Sequence, residues 1–286
     1  MTVVLSLCRV ARAHHHTELE RIREVTEARD AHAGEGGSTK GAVYLSIVVP
    51  AYNEEERLPL QLRETIAYLT RRGARSKSTF TWEIIVVDDG SRDGTADIVR
   101  TMSVKHAGIL CDDSVVNCLR LVQQPANGGK GSAVCSGVRN ARGDLVLMAD
   151  ADGATRISDV ERLERQLLSN DATARALGAG SAGATSIGET LGVVVGSRAH
   201  LQSDAAAERM WYRTLLMHGF HALVFAVVGN RIKDTQCGFK LFTRRSAHLL
   251  FRNLRLRRWC FDVELISLAL TLGIPLHEVG GTNGRG

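Results

Sequence analysis

Short uninterrupted runs of aliphatic residues recur along this chain, each followed by a stretch with helical spacing. YLSIVVP begins at Tyr44, WEIIVVDDGS at Trp82, CLRLV at Cys118 and DLVLMAD at Asp144. After the first run, EERLPLQLRETIAYLTRR places Leu58, Leu62, Ile66 and Leu69 on one helix face. Helices are expected likewise from about Gly94 and from about Lys130. A half-exposed strand alternates polar and apolar residues. These runs do not alternate, so both of their faces are expected to be buried. Strand and helix alternating in this way specify an α/β fold, with a mostly parallel sheet flanked by helices. Further along, LGVVVGSR and CGFKLFT read as strands, residues 205–228 as a long helix, and a last helix starts near Asp262. No internal repeat is present.

Composition narrows the function classes. A hydrophobic content of 44% in 286 residues is enough to fill such a core. The net charge of +5 is spread without a long block of one sign. That excess suits a phosphate-bearing substrate or an anionic membrane surface and is too scattered for nucleic acid. The six cysteines, at 8, 111, 118, 135, 237 and 260, show no C-x-x-C spacing. This argues against a zinc site or redox pair and for free thiols in a reducing compartment. MTVVLSLCRVAR at the N-terminus is expected to be neither a signal peptide nor a bilayer span. LLMHGFHALVFAVVG, from Leu215, is about fifteen residues long and holds two histidines. It reads as a buried helix or as one lying in a membrane interface. Residues 1–43 are charged and then rich in Gly, Ser and Thr, and are expected to form a flexible N-terminal arm ahead of a domain over 44–286. His14, His15 and His16 in that arm could bind metal, but three adjacent histidines in a polar tail are expected to do nothing specific. Residues 169–190 read as a low-complexity surface loop.

The chemistry gathers where strands end. In an open parallel sheet, ligands bind beyond the C-terminal strand ends. Pro50-Ala51-Tyr52-Asn53-Glu54 follows the first strand, Asp88-Asp89-Gly90-Ser91 the second, and Asp150-Ala151-Asp152 the fourth. Each alone also suits an ordinary turn or helix cap. Three of them on one rim point to a site. In extended backbone Asp150 and Asp152 would project to the same side, where one carboxylate can hold a divalent ion and the other reach a nucleotide sugar. PANGGKGSA is not a phosphate-binding P-loop, because Gly131 separates Lys130 from Ser132 and Gln124 stands where the first glycine belongs. It still sets backbone amides and Lys130 at a helix start, which favours phosphate.

Taken together, VVPAYNEEERLP, VVDDGSRDGT, NGGKGSA, MADADGAT, GSRAHL, KDTQCGFKLFT and RWCFDVEL resemble the family-2 glycosyltransferases of GT-A (Rossmann-like) fold, over roughly residues 45–279. The longer strings are similar to the branch that glucosylates dolichyl phosphate. The resemblance implies transfer of glucose from UDP-glucose to dolichyl phosphate with inversion, with Mg2+ or Mn2+, at the cytosolic face of the endoplasmic reticulum membrane, for N-glycan precursor assembly. It implies that Pro50, Tyr52 and Glu54 line the nucleotide pocket, that Val87 and Asp89 contact uracil and ribose, and that Asp150 and Ala151 approach the ribose and diphosphate. Asp152 would ligate the metal, and Lys130 would offset charge on the departing UDP. Arg198 and Arg213 match basic positions facing the donor diphosphate and the acceptor phosphate. Asp234, Lys240, Asp262 and Glu264 fall in motifs near the acceptor, although Asp262 also reads as a helix N-cap.

The chain departs from the pattern in three places. Some mannosyl relatives carry a glutamine metal ligand where Ala154 stands here. The expected membrane anchor at the start is not apparent. After GIPLHEV, where relatives continue into a basic segment, the chain reads GGTNGRG, so weak transfer is expected. Two alternatives remain open: a different donor such as GDP-mannose, and a non-catalytic truncated form. The basic RNLRLRRW, Arg252 to Trp259, reads as a membrane-facing patch or a solvated strand face.

Overall fold

The computed structural model describes residues 43–76, 80–107, 116–169, 186–197, 234–258 and 260–280. Seven strands form one sheet: β1 (Leu45–Ala51), β2 (Trp82–Asp88), β3 (Cys118–Gln123), β4 (Leu145–Ala149), β5 (Val193–Ser197), β6 (Phe239–Thr243) and β7 (Leu276–Gly280). Their spatial order is β3-β2-β1-β4-β6-β5-β7. The helices are α1 (Leu58–Arg75), α2 (Thr95–Ala107), α3 (Lys130–Asn140), α4 (Val160–Leu168), α5 (Arg244–Asn253) and α6 (Phe261–Thr271). The expected N-terminal arm and the helix expected over 205–228 lie outside the described residues, as do Arg198 and Arg213. Among the described residues no helix is long and apolar enough to cross a membrane.

The aliphatic runs are strands for the expected reason. Every residue of β2 and β4 is buried, so neither face meets solvent. Helix α1 turns Leu58, Leu62, Ile66 and Leu69 into the core, and Pro59 sits in its first turn, where a missing N–H costs nothing. Helix α3 lies against β1 and β2. A Cβ on Gly137 would fall 2.3 Å from Val48 Cγ1, so this helix can approach the sheet so closely only with glycine there.

Register decides where the polar motifs go. Strands β1 and β2 pair in parallel with Ala51 beside Asp88, and β1 and β4 pair with Val48 beside Met148. Two residues further along both, Pro50 comes level with Asp150. The three polar strand ends therefore share one rim.

The sheet is mixed rather than wholly parallel, because β6 runs antiparallel to both β4 and β5. Its start is thereby brought beside the end of β4, with Phe239 opposite Ala149. A Cβ on the preceding Gly238 would lie 1.8 Å from Asp150 Oδ2, so only glycine leaves room for that carboxylate. The loop expected over 169–190 ends in more structure than its composition suggests. Ser186 caps a 3-10 turn at Ile187–Glu189, and Thr243 Oγ1 donates to the Thr190 carbonyl at 2.7 Å.

The opposite end of the sheet holds a charge cluster that spacing does not announce. Glu83 is fully buried, yet it accepts from Ser46 Oγ at 2.6 Å and pairs with Arg120 at 3.0 Å and Arg142 at 2.8 Å. A buried carboxylate so surrounded is satisfied and needs no ligand.

Candidate active site

A cleft of about 650 Å³ opens at the C-terminal rim of β1, β2 and β4. Pro50, Tyr52, Glu54, Asp89, Lys130, Asp150, Ala151 and Asp152 all line it. Val87 does not. Its side chain is wholly buried, close to the Cβ position of Gly137, so it can serve a ligand only through its main chain.

The rim is braced by turn chemistry. Asn53 adopts the left-handed conformation at φ 55°, and its main-chain N–H donates to Ser91 Oγ at 3.0 Å. Asn53 Oδ1 accepts from Arg92 N at 2.9 Å. The Glu54 N–H donates to Thr95 Oγ1 at 2.9 Å, and the Glu54 carboxylate pairs with Arg57 at 2.8 Å. Asp93 is held below the usual carboxylate range. What burial it has opposes ionisation, but hydrogen bonds from the Thr95 hydroxyl and from main-chain amides outweigh it.

Asp89 is a structural keystone before any ligand arrives. Its two oxygens accept from Gly128 N at 2.8 Å and Gly129 N at 2.9 Å. It thereby pins the glycine turn that leads into α3. That turn is less open to anions than its composition suggests. Ser132 N, in the first turn of α3, donates at 3.0 Å to the carbonyl of Arg257. A Cβ on Gly129, at φ 90°, would come within 2.7 Å of Arg258 Cγ, and one on Gly131 would sit tightly, 3.0 Å from the Arg257 main chain, because residues 257 and 258 cross closely over both. The glycines thus seat a protein segment as well as leaving the turn its shape.

The two carboxylates of D-A-D face the same cleft, though not by strand alternation. Strand β4 ends at Ala149 and the chain turns at residues 151 and 152. Asp150 is half-buried and pairs with Lys130 Nζ at 2.6 Å. Its main-chain carbonyl accepts from Gln61 Nε2. Asp152 is exposed and accepts only from the Ala154 N–H, at 2.9 Å. One of its oxygens is therefore uncommitted among the described residues. No group of three or more His, Cys, Asp or Glu side chains there can enclose a metal ion unaided. The donor set still fits Mg2+ or Mn2+, which take hard oxygen ligands and complete their shells with phosphate and water. Ala154 contributes its N–H to Asp152 in place of a side-chain ligand.

The motif residues assigned to the acceptor are otherwise engaged. Lys240 is fully buried on β6, with Nζ donating to Asp262 Oδ1 at 2.6 Å and to the Cys237 carbonyl at 2.6 Å. Neither residue lines the cleft described above, and among the described residues the two form a core ion pair joining β6 to α6 in place of the expected acceptor contact. Asp262 is not an N-cap either, since Cys260 occupies that position and Asp262 lies in the first turn. Glu264 accepts from Arg255 N and Leu256 N, at 3.0 and 2.7 Å, and so fixes the segment after α5. Asp234 is buried, with its N–H donating to Glu278 on β7 at 3.2 Å.

The basic segment after α5, expected as a membrane-facing patch or a solvated strand face, has a part in the cleft that its sequence does not announce. Residues 254–258 form neither a strand nor a helix but an irregular strap over the start of α3, and Arg258 lines the cleft with Arg57 and Asn127. Nothing local distinguishes Arg258 from the neighbouring arginines. Only the docking of the strap on Gly129 and Gly131 does.

The sequence profile of glycosyl transferase family 2 matches residues 46–178. The dolichyl-phosphate β-glucosyltransferases of Drosophila melanogaster and Homo sapiens are 46% and 43% identical over 235 residues, 82% of this chain and 65% of each relative. The chain thus spans just under two thirds of the length of these relatives. Glucosyl-3-phosphoglycerate synthase from Mycobacterium tuberculosis, solved with UDP, superposes with a TM-score of 0.53 at 18% identity, over 88% of this chain and 78% of that one. A second structure of that enzyme, with Mn2+, UDP and phosphoglyceric acid, gives 0.52 at 18% identity, over 85% and 72%. At such identity the likeness concerns the fold. With its strand ends converging on one cleft, the chain has a GT-A fold, and its residues 46–178 are similar to glycosyl transferase family 2.

Proposed function

We propose that this chain transfers glucose from UDP-glucose to dolichyl phosphate with inversion, giving dolichyl β-D-glucosyl phosphate for N-glycan precursor assembly. The observation that carries this reading is the cleft itself. It brings together an exposed aromatic ring at Tyr52, the Asp89-braced turn, Lys130, Asp150 and Asp152. The names of the two relatives support glucose and dolichyl phosphate, and solved neighbours of the same fold carry UDP. In this reading the nucleoside lies against Pro50, Tyr52 and Glu54, and the diphosphate lies toward Lys130 and the D-A-D carboxylates.

A divalent ion held at Asp152 would supply positive charge against the diphosphate as UDP leaves. Lys130 adds a further cation to the same group, released from Asp150 when the ligand enters. The acceptor needs no general base. A phosphate monoester has a second pKa of about 6, so at neutral pH it is largely a dianion and already a nucleophile. One of its oxygens forms the new bond to the anomeric carbon from the face opposite UDP, and the broken bond's electrons depart with UDP. Arg198 and Arg213 are proposed to hold that phosphate in line. The proposed location is the cytosolic face of the endoplasmic reticulum membrane.

The test is transfer of radiolabelled sugar to dolichyl phosphate in detergent micelles with Mn2+, comparing UDP-glucose with GDP-mannose. Preferential use of UDP-glucose is expected. Preference for GDP-mannose would overturn the donor assignment. Tight UDP binding without turnover of any donor would favour the non-catalytic alternative.

A further inference from the structure

Among the described residues three cations line the cleft: Arg57, Lys130 and Arg258. Two already have carboxylate partners, since Arg57 pairs with Glu54 and Lys130 with Asp150. Arg258 makes no hydrogen bond or ion pair among the described residues, and it is exposed. An uncommitted guanidinium is common on an open surface and means little there. Here its main chain is held firmly. Leu254 is buried at the start of the strap, and Glu264 takes the amides of Arg255 and Leu256. The Arg257 carbonyl accepts from Ser132 N at 3.0 Å. The Arg258 stem crosses Gly129 so closely that a Cβ on that glycine would come within 2.7 Å of Arg258 Cγ. Four separate contacts therefore deliver a cation that is uncommitted among the described residues to the cleft, beside the turn that precedes Lys130.

The glycine turn itself offers few free amides to an anion. Asp89 takes the amides of Gly128 and Gly129, and the strap takes that of Ser132. Three of the amides around this helix start, those of Gly128, Gly129 and Ser132, are thus taken within the protein, and the strap that occupies one of them brings an arginine in exchange.

We propose that Arg258 binds the diphosphate of the nucleotide sugar and steadies it as the leaving group. This rests on the reading of the cleft as a nucleoside diphosphate-sugar site. A planar guanidinium matches phosphate oxygens with two parallel donors, which a lysine cannot do. Because Arg258 is exposed and its main-chain contacts do not depend on its charge, the residue can be altered without disturbing the core.

The experiment is calorimetric binding of UDP and of uridine, each with Mn2+, to the whole chain and to Arg258→Met and Arg258→Lys. Methionine keeps the stem across Gly129 and removes only the charge. Arg258→Met is expected to weaken UDP about tenfold to a hundredfold, the usual effect of losing one charge-assisted contact, and to leave uridine unchanged. Arg258→Lys should recover part of the loss. The KM for dolichyl phosphate should stay near that of the parent. Unchanged UDP affinity in Arg258→Met overturns the proposal, as does an equal loss for uridine, which would mean a displaced strap. A raised KM for dolichyl phosphate with normal UDP affinity would also overturn it, by moving the arginine to the acceptor. If the parent binds GDP in place of UDP, the donor reading fails, and the same three proteins tested with GDP and guanosine decide the role of Arg258. A parent chain that binds no nucleoside diphosphate refutes both readings.

Discussion

Replacing Lys240 with methionine tests the sharpest difference between motif and structure. The Lys240 side chain is 0% exposed and that of its partner Asp262 is 7% exposed, with 2.6 Å between Nζ and Oδ1. Methionine keeps an unbranched apolar stem and removes the ammonium group. The Asp262 carboxylate is then left buried without its cation, and the Cys237 carbonyl loses its donor. Removing one member of a buried pair costs about 3–5 kcal/mol. At roughly 2–4 °C per kcal/mol for a domain of this size, Tm should fall by about 6–20 °C. That is a large share of a total stability of about 5–15 kcal/mol. The double variant Lys240→Met with Asp262→Leu removes both charges and should regain most of the loss, because no buried charge is then uncompensated. Urea and thermal unfolding of the parent, both single variants and the double variant at neutral pH give the numbers. Acceptor KM, measured where each variant is folded, should be unchanged. A cost below about 1 kcal/mol, the range of an exposed pair, would refute the argument. So would a double variant no more stable than the worse single one. A raised acceptor KM with normal stability would return Lys240 to the acceptor site.

Asp152→Asn should leave Tm unchanged, because the side chain is exposed and makes one local hydrogen bond, while abolishing transfer and the Mn2+ dependence of UDP binding; undiminished turnover at limiting Mn2+ would exclude the metal role. Gly238→Ala would place a methyl group 1.8 Å from Asp150 Oδ2, so the carboxylate must swing away from Lys130; an overpacking loss of about 1–3 kcal/mol is expected together with a lower rate, and parental behaviour in both would show that the close approach is not obligatory. His248 is held below the ordinary imidazole value by burial first and then by Arg252 and Arg244, with Glu189 opposing. A depressed histidine contributes stability above its unfolded pKa of about 6.5 and loses it as pH falls through the folded value. His248→Gln should therefore lose less stability than the parent on acidification from about pH 6.5, and equal slopes of urea midpoint against pH would contradict this.

The sequence by itself determined the parallel half of the sheet and the rim of the cleft. The aliphatic runs at Leu45, Trp82 and Leu145 are buried on both faces apart from half-buried Pro50 at the rim, and the turn residues after them are local signals. Periodicity and turn chemistry act over a few neighbours, so they can be read without knowing the fold. Pro50, Tyr52, Asp89, Lys130, Asp150 and Asp152 were legible for that reason. What only the tertiary structure decided is which charges are free. Lys240 and Asp262 stand 22 residues apart and neutralise each other inside the core, and Glu83 meets Arg142 across 59 residues. The direction of β6, the seating of the strap on Gly129 and the exposure of Arg258 likewise depend on elements distant in sequence. A carboxylate or guanidinium carries the same letter whether solvent, an ion partner or a ligand surrounds it. Its electrostatic environment is set by the chain segments that dock around it, and that docking is a property of the assembled sheet and helices rather than of any local pattern.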